Sequence, residues 1–201
     1  MDRRPPRSET GYRVTYTVCF HGAESTGKSV LAEQLSRELG VPWVPEYGRI
    51  YCEERGTDLT MDDLLAIAEG QAAATRAALA PRPALLILDT DQLMTAAWAE
   101  MLFGEVPDTL LSYPRADLYL RFAADVPWVA DGTRFFGADA QREQFADLAQ
   151  SVLERTGVRW LPVEGTWEER GRIVGNILRE GPFAPGPGSW STCADSQPGE
   201  V

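Results

Sequence analysis

The sequence predicts an α/β fold of three layers, a mostly parallel five-stranded sheet with helices on both faces. Three observations predict it. Strand-like and helix-like stretches alternate about five times along the chain, the pattern that builds a parallel sheet from crossover units. The run Ala84-Leu85-Leu86-Ile87-Leu88 is continuously apolar and ends in Asp89, as a central strand buried on both faces should be. Between a strand-like and a helix-like run stands Gly22-Ala23-Glu24-Ser25-Thr26-Gly27-Lys28-Ser29. It fits Gly-x-x-x-x-Gly-Lys-Ser/Thr, the loop whose backbone N–H groups cradle the phosphates of a nucleoside triphosphate.

Each element has its own signal. Val14, Tyr16, Val18 and Phe20 alternate with Thr15, Thr17 and Cys19, a strand that delivers the chain into the loop. After Ser29, the apolar positions Val30, Leu31, Leu35 and Leu39 fit one helix face, and Gly40 stands where a C-cap belongs. Val41 to Val44 reads as a short second strand leading to Pro45-Glu46-Tyr47-Gly48-Arg49. Thr60-Met61-Asp62-Asp63 opens an Ala-rich helix as a capping box, and Pro81 and Pro83 stop it near Ala80. A helix carrying Leu93, Ala96, Ala97 and Met101 follows the apolar strand, and Asp117 to Phe122 is the next strand. The segment from Ala130 to Asp139 is polar. Ala140 to Thr156 is helical with Phe145, Leu148, Val152 and Leu153 inward, and Val158 to Val163 gives the last strand. Thr166-Trp167-Glu168-Glu169 is a second capping box, opening a helix with Ile173, Val174, Ile177 and Leu178 inward.

At 201 residues the prior is one domain. Residues 1–12 read as a flexible N-terminus, 13–180 as the folded domain, and the Gly-, Pro- and Ser-rich stretch 181–201 as a disordered tail. The net charge of −11 argues against a nucleic-acid or anionic-membrane surface, since a phosphate backbone calls for a basic stripe. Three cysteines, Cys19, Cys52 and Cys193, lack metal-type spacing and read as reduced thiols. No apolar run reaches membrane-spanning length, and no signal-peptide core is visible. A cytoplasmic protein is expected.

The chemistry gathers at strand ends. In a parallel sheet, Ser29, Glu46, Asp89, Asp91 and the segment after Phe122 all follow strands on one edge. The loop assigns Lys28 to the β- and γ-phosphates and Ser29 to Mg²⁺. Asp89 has the position of a Walker B aspartate holding the metal, with a helix N-cap as its structural alternative. Asp91 is the better cap by position. Glu46 and Asp91 compete as the base that receives an acceptor's proton, and an ion pair with Arg49 is the alternative for Glu46. Arg49, Arg134 and Arg142 are candidates for stabilising transferred charge. Arg134 and Arg142 flank Phe135-Phe136-Gly137, which has the look of a lid. Tyr47 and Trp128 are candidate substrate contacts, although Trp43 and Trp128 fit core or rim aromatics better. His21 reads as a packed strand-end residue. Thr90 stands where work-performing ATPases carry a water-activating glutamate, and the guanine-specific Asn-Lys-x-Asp pattern is absent. Both favour phosphoryl transfer to an organic acceptor over hydrolysis.

Together, the loop 22–29, Glu46-Tyr47-Gly48-Arg49, Asp89-Thr90-Asp91 and Pro127-Trp128-Val129-Ala130-Asp131-Gly132-Thr133-Arg134 resemble the ribosylnicotinamide kinase domain of the NadR family. That is an AAA-type domain of the P-loop NTPase superfamily with a nucleoside/nucleotide-kinase-like fold. The resemblance runs from about Val14 to Leu178. It implies phosphorylation of the 5′-hydroxyl of nicotinamide riboside by ATP with Mg²⁺, giving nicotinamide mononucleotide in NAD salvage. By position it implies Lys28 and Ser29 on phosphates and metal, Asp89 at the metal, Glu46 and Asp91 at the acceptor, and Arg134 in the lid. A kinase for another small metabolite and a nucleotide-dependent ATPase or switch of the AAA type are the competing readings. Two departures stand out. NadR proteins carry further domains ahead of the kinase, whose activities are not implied here. The family's ring-holding aromatics correspond, without gaps, to Pro45 and to small residues around Ala74, with Trp43 or Tyr47 as substitutes.

Overall fold

The computed structural model describes residues 15–127 and 139–181. Five strands, β1 (Tyr16–Gly22), β2 (Trp43–Val44), β3 (Leu85–Asp89), β4 (Leu118–Phe122) and β5 (Trp160–Val163), form one sheet in the order β2-β3-β1-β4-β5. Every pairing is parallel, so the sheet is more uniform than the expected mostly parallel one. Among the described residues, seven helices cover it: α1 (Lys28–Leu39), α2 (Tyr47–Arg55), α3 (Met61–Leu79), α4 (Gln92–Phe103), α5 (Asp108–Ser112), α6 (Asp139–Thr156) and α7 (Trp167–Glu180).

The pleat of the sheet sorts the core into two layers. Along β1, Val18 and Phe20 point to one face and Cys19 to the other, as successive side chains of a strand must. On the first face they meet Leu31 and Leu35 of α1 and Val174 and Leu178 of α7. On the second, Cys19, Leu86 and Tyr119 pack against Leu64 and Ala68 of α3, Ala96 of α4 and Phe145 and Val152 of α6. β3 is buried at all five positions, in keeping with its continuous apolar run.

Both expected capping boxes are present, at Thr60 with Asp63 and at Thr166 with Glu169. Gly40 closes α1 in the left-handed conformation, which a side chain would resist. Three expectations shift. Val30 is 62% exposed, not part of the inward stripe of α1, because it sits at the first turn, beside the mouth of the cavity. The short helices α2 and α5 were not visible in the periodicity. β2 and β5 are each shorter at the N-terminal side than the apolar runs suggested, since only the stretches beside β3 and β4 find hydrogen-bonding partners.

Candidate active site

The loop between β1 and α1 is pinned by its carbonyls. Lys28 Nζ donates to Gly22 O at 2.8 Å and Ala23 O at 2.7 Å. Arg142 of α6 reaches Glu24 O at 3.3 Å, Ser25 O at 3.4 Å and, outside the loop, Val126 O at 2.7 Å. Arg170 of α7 donates to Thr26 O at 3.0 Å. Five successive carbonyls are thus held by cations, in a chain whose overall charge is strongly negative. This concentrates positive potential where a phosphate chain would lie. Gly22 has φ of 123°, and a Cβ there would lie 2.4 Å from Phe122 O of the neighbouring strand, so no side chain fits.

Parallel register sets the carboxylates beside the loop. Phe20 of β1 pairs with Asp89 of β3, so Asp89 ends its strand level with the approach to the loop. Its carboxyl is buried and hydrogen-bonded to Ser29, while Oδ1 has no partner among the described residues. Burial holds Asp89 above the ordinary carboxylate range, opposed by the Ser29 hydrogen bond and by the charges of Lys28 and Arg49. Glu46, the N-cap residue of α2, is pushed up to about 7 by burial first and by the Asp89 charge second. Lys28 and Arg49 oppose the shift, and Glu24 adds to it. Like charges confined together disfavour double ionisation, which is how a site prepares a group to take up a proton near neutrality. Among the described residues no group of three or more His, Cys, Asp or Glu is arranged to hold a metal ion by itself. A hydroxyl beside a carboxylate with a free oxygen nevertheless suits Mg²⁺, which takes few protein ligands and relies on substrate phosphates and water.

Of these groups, Glu24, Lys28, Ser29, Glu46 and Arg49 line a cavity of about 360 Å³, and Asp89 reaches it through its hydrogen bond to Ser29. Its apolar lining is Leu59, Ile67, Met94, Trp98 and Phe145. The rings of Trp98 and Phe145 lie 4.2 Å apart at 34°. Sequence reasoning did not single out Trp98, since on α4 it falls among apolar positions that read as plain core, and it had read Phe145 only as an inward core residue of α6. A second groove, of about 600 Å³, runs on the other side of the loop between Ser25–Gly27, Asp125–Pro127 and Gly165–Trp167. There the Trp167 ring covers Gly27 so closely that a Cβ would meet it at 2.6 Å.

Other expected site residues lie elsewhere. Asp91 does not line the cavity. One oxygen caps α4 through Leu93 N at 3.0 Å and the other accepts from Tyr119 OH at 2.5 Å. That geometry matches the cap alternative for Asp91 and leaves Glu46 as the carboxylate facing the loop. Tyr47 turns its ring into the α2–α3 contact, where a Cβ on Gly70 would come within 2.2 Å of it. It too is absent from the cavity wall. Trp43 is a partly buried aromatic packed on the α1 side of the core. His21 is buried, its Nε2 donating to Ala149 O at 2.9 Å, and burial lowers it to about 3, so it stays neutral. Arg134, Trp128 and the lid-like Phe135-Phe136-Gly137 lie outside the described residues. Arg170, 1% exposed, belongs to no motif and was not singled out; it joins Gly165 O, Thr26 O, Ala123 O and the Asp125 carboxylate. Its role depends on four partners brought together by the fold, so local sequence carries no trace of it.

A parallel sheet in this order, with a lysine-bearing loop after β1 and an aspartate ending the adjacent β3, defines a P-loop nucleotide-kinase-like α/β domain. The chain belongs to the AAA domain family whose model matches residues 17–170. It is 33% identical over 155 residues to the trifunctional NAD biosynthesis/regulator protein NadR of Escherichia coli strain K12 and 32% identical to that of Salmonella typhimurium. Each alignment covers 74% of this chain and 38% of the relative, so the chain spans well under half the length of these curated relatives. Among solved structures, a NadR protein in complex with NR superposes with a TM-score of 0.68 at 23% identity, over 83% of this chain and 51% of that one. A deoxyadenosine kinase from M. mycoides superposes at 0.61 and 12% identity, over 82% and 99%. At such identities these two show the fold. The family match and the curated relatives support a NadR-type domain.

Proposed function

We propose that the chain is an ATP-dependent kinase that phosphorylates the 5′-hydroxyl of nicotinamide riboside, giving nicotinamide mononucleotide. One observation carries the reading above the others. Glu46, a carboxyl whose proton is balanced at about pH 7, shares a cavity with Lys28 and Ser29, and the wall of that cavity also carries the Trp98–Phe145 ring pair. The donor's phosphates lie along the loop 22–29 and its base in the groove beside Trp167. The acceptor enters from the other side, its ring between the apolar wall and the Trp98–Phe145 pair. A pyridinium ring carries positive charge, and aromatic faces favour a cation. This answers the missing family aromatics, because the ring is received by α4 and α6 in place of the stretch before Glu46.

In the transfer, the 5′-oxygen bonds to the γ-phosphorus as the bond to the ADP oxygen breaks, and the hydroxyl proton passes to Glu46. Lys28 neutralises charge on the β- and γ-phosphates. Ser29 and Asp89 are the residues to hold Mg²⁺, which supplies further charge neutralisation on the phosphates. Arg49, and Arg134 beyond the described residues, are further candidates at the transferred group. Arg142 serves the nucleotide indirectly, by holding the loop.

The test is ADP release from ATP and Mg²⁺ by the purified protein against a panel of nucleosides. Release with nicotinamide riboside, and recovery of the mononucleotide, supports the proposal. Release with a different acceptor would move the reading to a kinase for another metabolite, and release with no acceptor to an ATPase or switch.

A further inference from the structure

Glu46 occupies the N-cap position of α2, yet its side chain makes no hydrogen bond to its own helix. A helix start leaves backbone N–H groups without intrahelical partners, which side chains from elsewhere in the fold can satisfy. Here an outside residue supplies the acceptor. Gln71, from the middle of α3 and 3% exposed, accepts from Tyr47 N at 2.7 Å through Oε1. Its Nε2 donates to Thr90 O at 3.4 Å. Thr90 directly follows Asp89 and has φ of 71°, a left-handed conformation that a β-branched residue adopts only when its surroundings enforce it. One buried amide therefore ties the start of the helix that carries Glu46 to the turn that ends the strand carrying Asp89.

We propose that Gln71 is a positioning residue for phosphoryl transfer: by bonding the first N–H of α2 and the Thr90 carbonyl at once, it fixes the start of the helix that carries Glu46 relative to the turn that follows Asp89. An amide suits the task, because a neutral side chain presents an acceptor to Tyr47 and a donor to Thr90 at once without adding charge beside two carboxylates. Gln71 sits between two halves of the site that no covalent path joins closely, since α2 and β3 are separated by the whole of α3. Without it, no side chain ties the start of α2 to the turn after β3 by this path. The inference rests on the reading of Glu46 as the base.

The experiment compares Gln71→Met, which keeps the packing and loses both hydrogen bonds, with Gln71→Glu, which restores the acceptor for Tyr47 N, using nicotinamide riboside, ATP and Mg²⁺. Misplacing a reacting group by a fraction of an ångström is costly. Gln71→Met is expected to lower kcat about tenfold while the KM for ATP stays within about twofold. Gln71→Glu keeps the bond to Tyr47 N but loses the donor to Thr90 and adds charge beside Glu46 and Asp89, so its kcat is expected to stay below wild type. In the Glu46→Gln background, Gln71→Met is expected to cost nothing further, since residues acting through one group are non-additive. Amide exchange at Tyr47 is expected to be faster in Gln71→Met than in wild type and in Gln71→Glu. A wild-type kcat in Gln71→Met, or a full additional loss in the double variant, would overturn the positioning role while leaving Glu46 as the base. An undiminished Glu46→Gln enzyme would overturn the base and the positioner together. If wild type fails to phosphorylate nicotinamide riboside, the acceptor is wrong, and exchange at Tyr47 still decides whether Gln71 caps α2. Unchanged exchange overturns that.

Discussion

Glu46 and Asp91 are both carboxylates near strand ends, and their surroundings give them different work. Burial raises both, Glu46 to about 7 and Asp91 to about 6, but only Glu46 faces the loop and cavity. Glu46→Gln is expected to lower kcat by about 10²–10⁴-fold, the usual contribution of a positioned base, with ATP affinity nearly kept in a calorimetric titration. In the wild type, kcat/KM for the acceptor should rise with pH through about 7, as Glu46 loses its proton. Stability runs the other way. A carboxyl raised above its unfolded value of 4.5 favours the protonated fold, so that contribution is complete below pH 4.5 and lost as the pH climbs through about 7. The melting temperature of wild type relative to Glu46→Gln should therefore fall between pH 5 and pH 8. Asp91→Asn keeps a cap acceptor and the shape, so it is expected to cost about 1 kcal/mol in denaturant unfolding with turnover largely retained. A loss of turnover as deep as that of Glu46→Gln would return Asp91 to the role of base.

At the scale of elements, the α2–α3 contact sets the entrance of the site. Gly70 lies under the Tyr47 ring, and a Cβ there would overlap it at 2.2 Å. Gly70 is in mid-helix, where alanine is otherwise preferred by up to about 1 kcal/mol, so the sign of Gly70→Ala reports the packing. The expected result is a loss of about 1–3 kcal/mol, the usual cost of overpacking. The loss should shrink when Tyr47 is shortened to Leu in the same chain. A stabilised Gly70→Ala protein would show that the two helices are not held at this distance. Because Gln71 is the next residue on α3, the same displacement is expected to reach catalysis as well as stability.

Across the molecule, two arginines from the last two helices close the loop from behind. Arg142 comes from α6 and Arg170 from α7, and each bonds to backbone carbonyls more than a hundred residues earlier in the chain. Replacing Arg170 with Met would strand the buried carbonyls of Thr26, Ala123 and Gly165, and ~3 kcal/mol of stability is the expected loss. ATP affinity should fall with it, because the loop then loses a brace. Equal ATP affinity in Arg170→Met, measured below its melting temperature, would show that the loop holds its shape from local sequence alone.

That last comparison marks the boundary between what sequence and tertiary structure each decide. The alternation of strands and helices, the apolar run into Asp89, the loop glycines and the two capping boxes were all legible, because each depends on residues within a few positions of one another. The residue pattern thereby determined the α/β sheet and a phosphate-binding loop after its first strand. It also set Glu46 and Asp89 on the same edge of the sheet. Only the packed molecule decided which carboxylate turns inward. It was packing that gave Asp91 to a helix cap and Tyr119, turned Tyr47 onto Gly70, assembled Trp98 and Phe145 into a cavity wall, and set Gln71 and Arg170 as braces. Those outcomes depend on burial and on partners far apart in the chain. A buried amide or guanidinium acquires its meaning from the carbonyls that the fold brings to it.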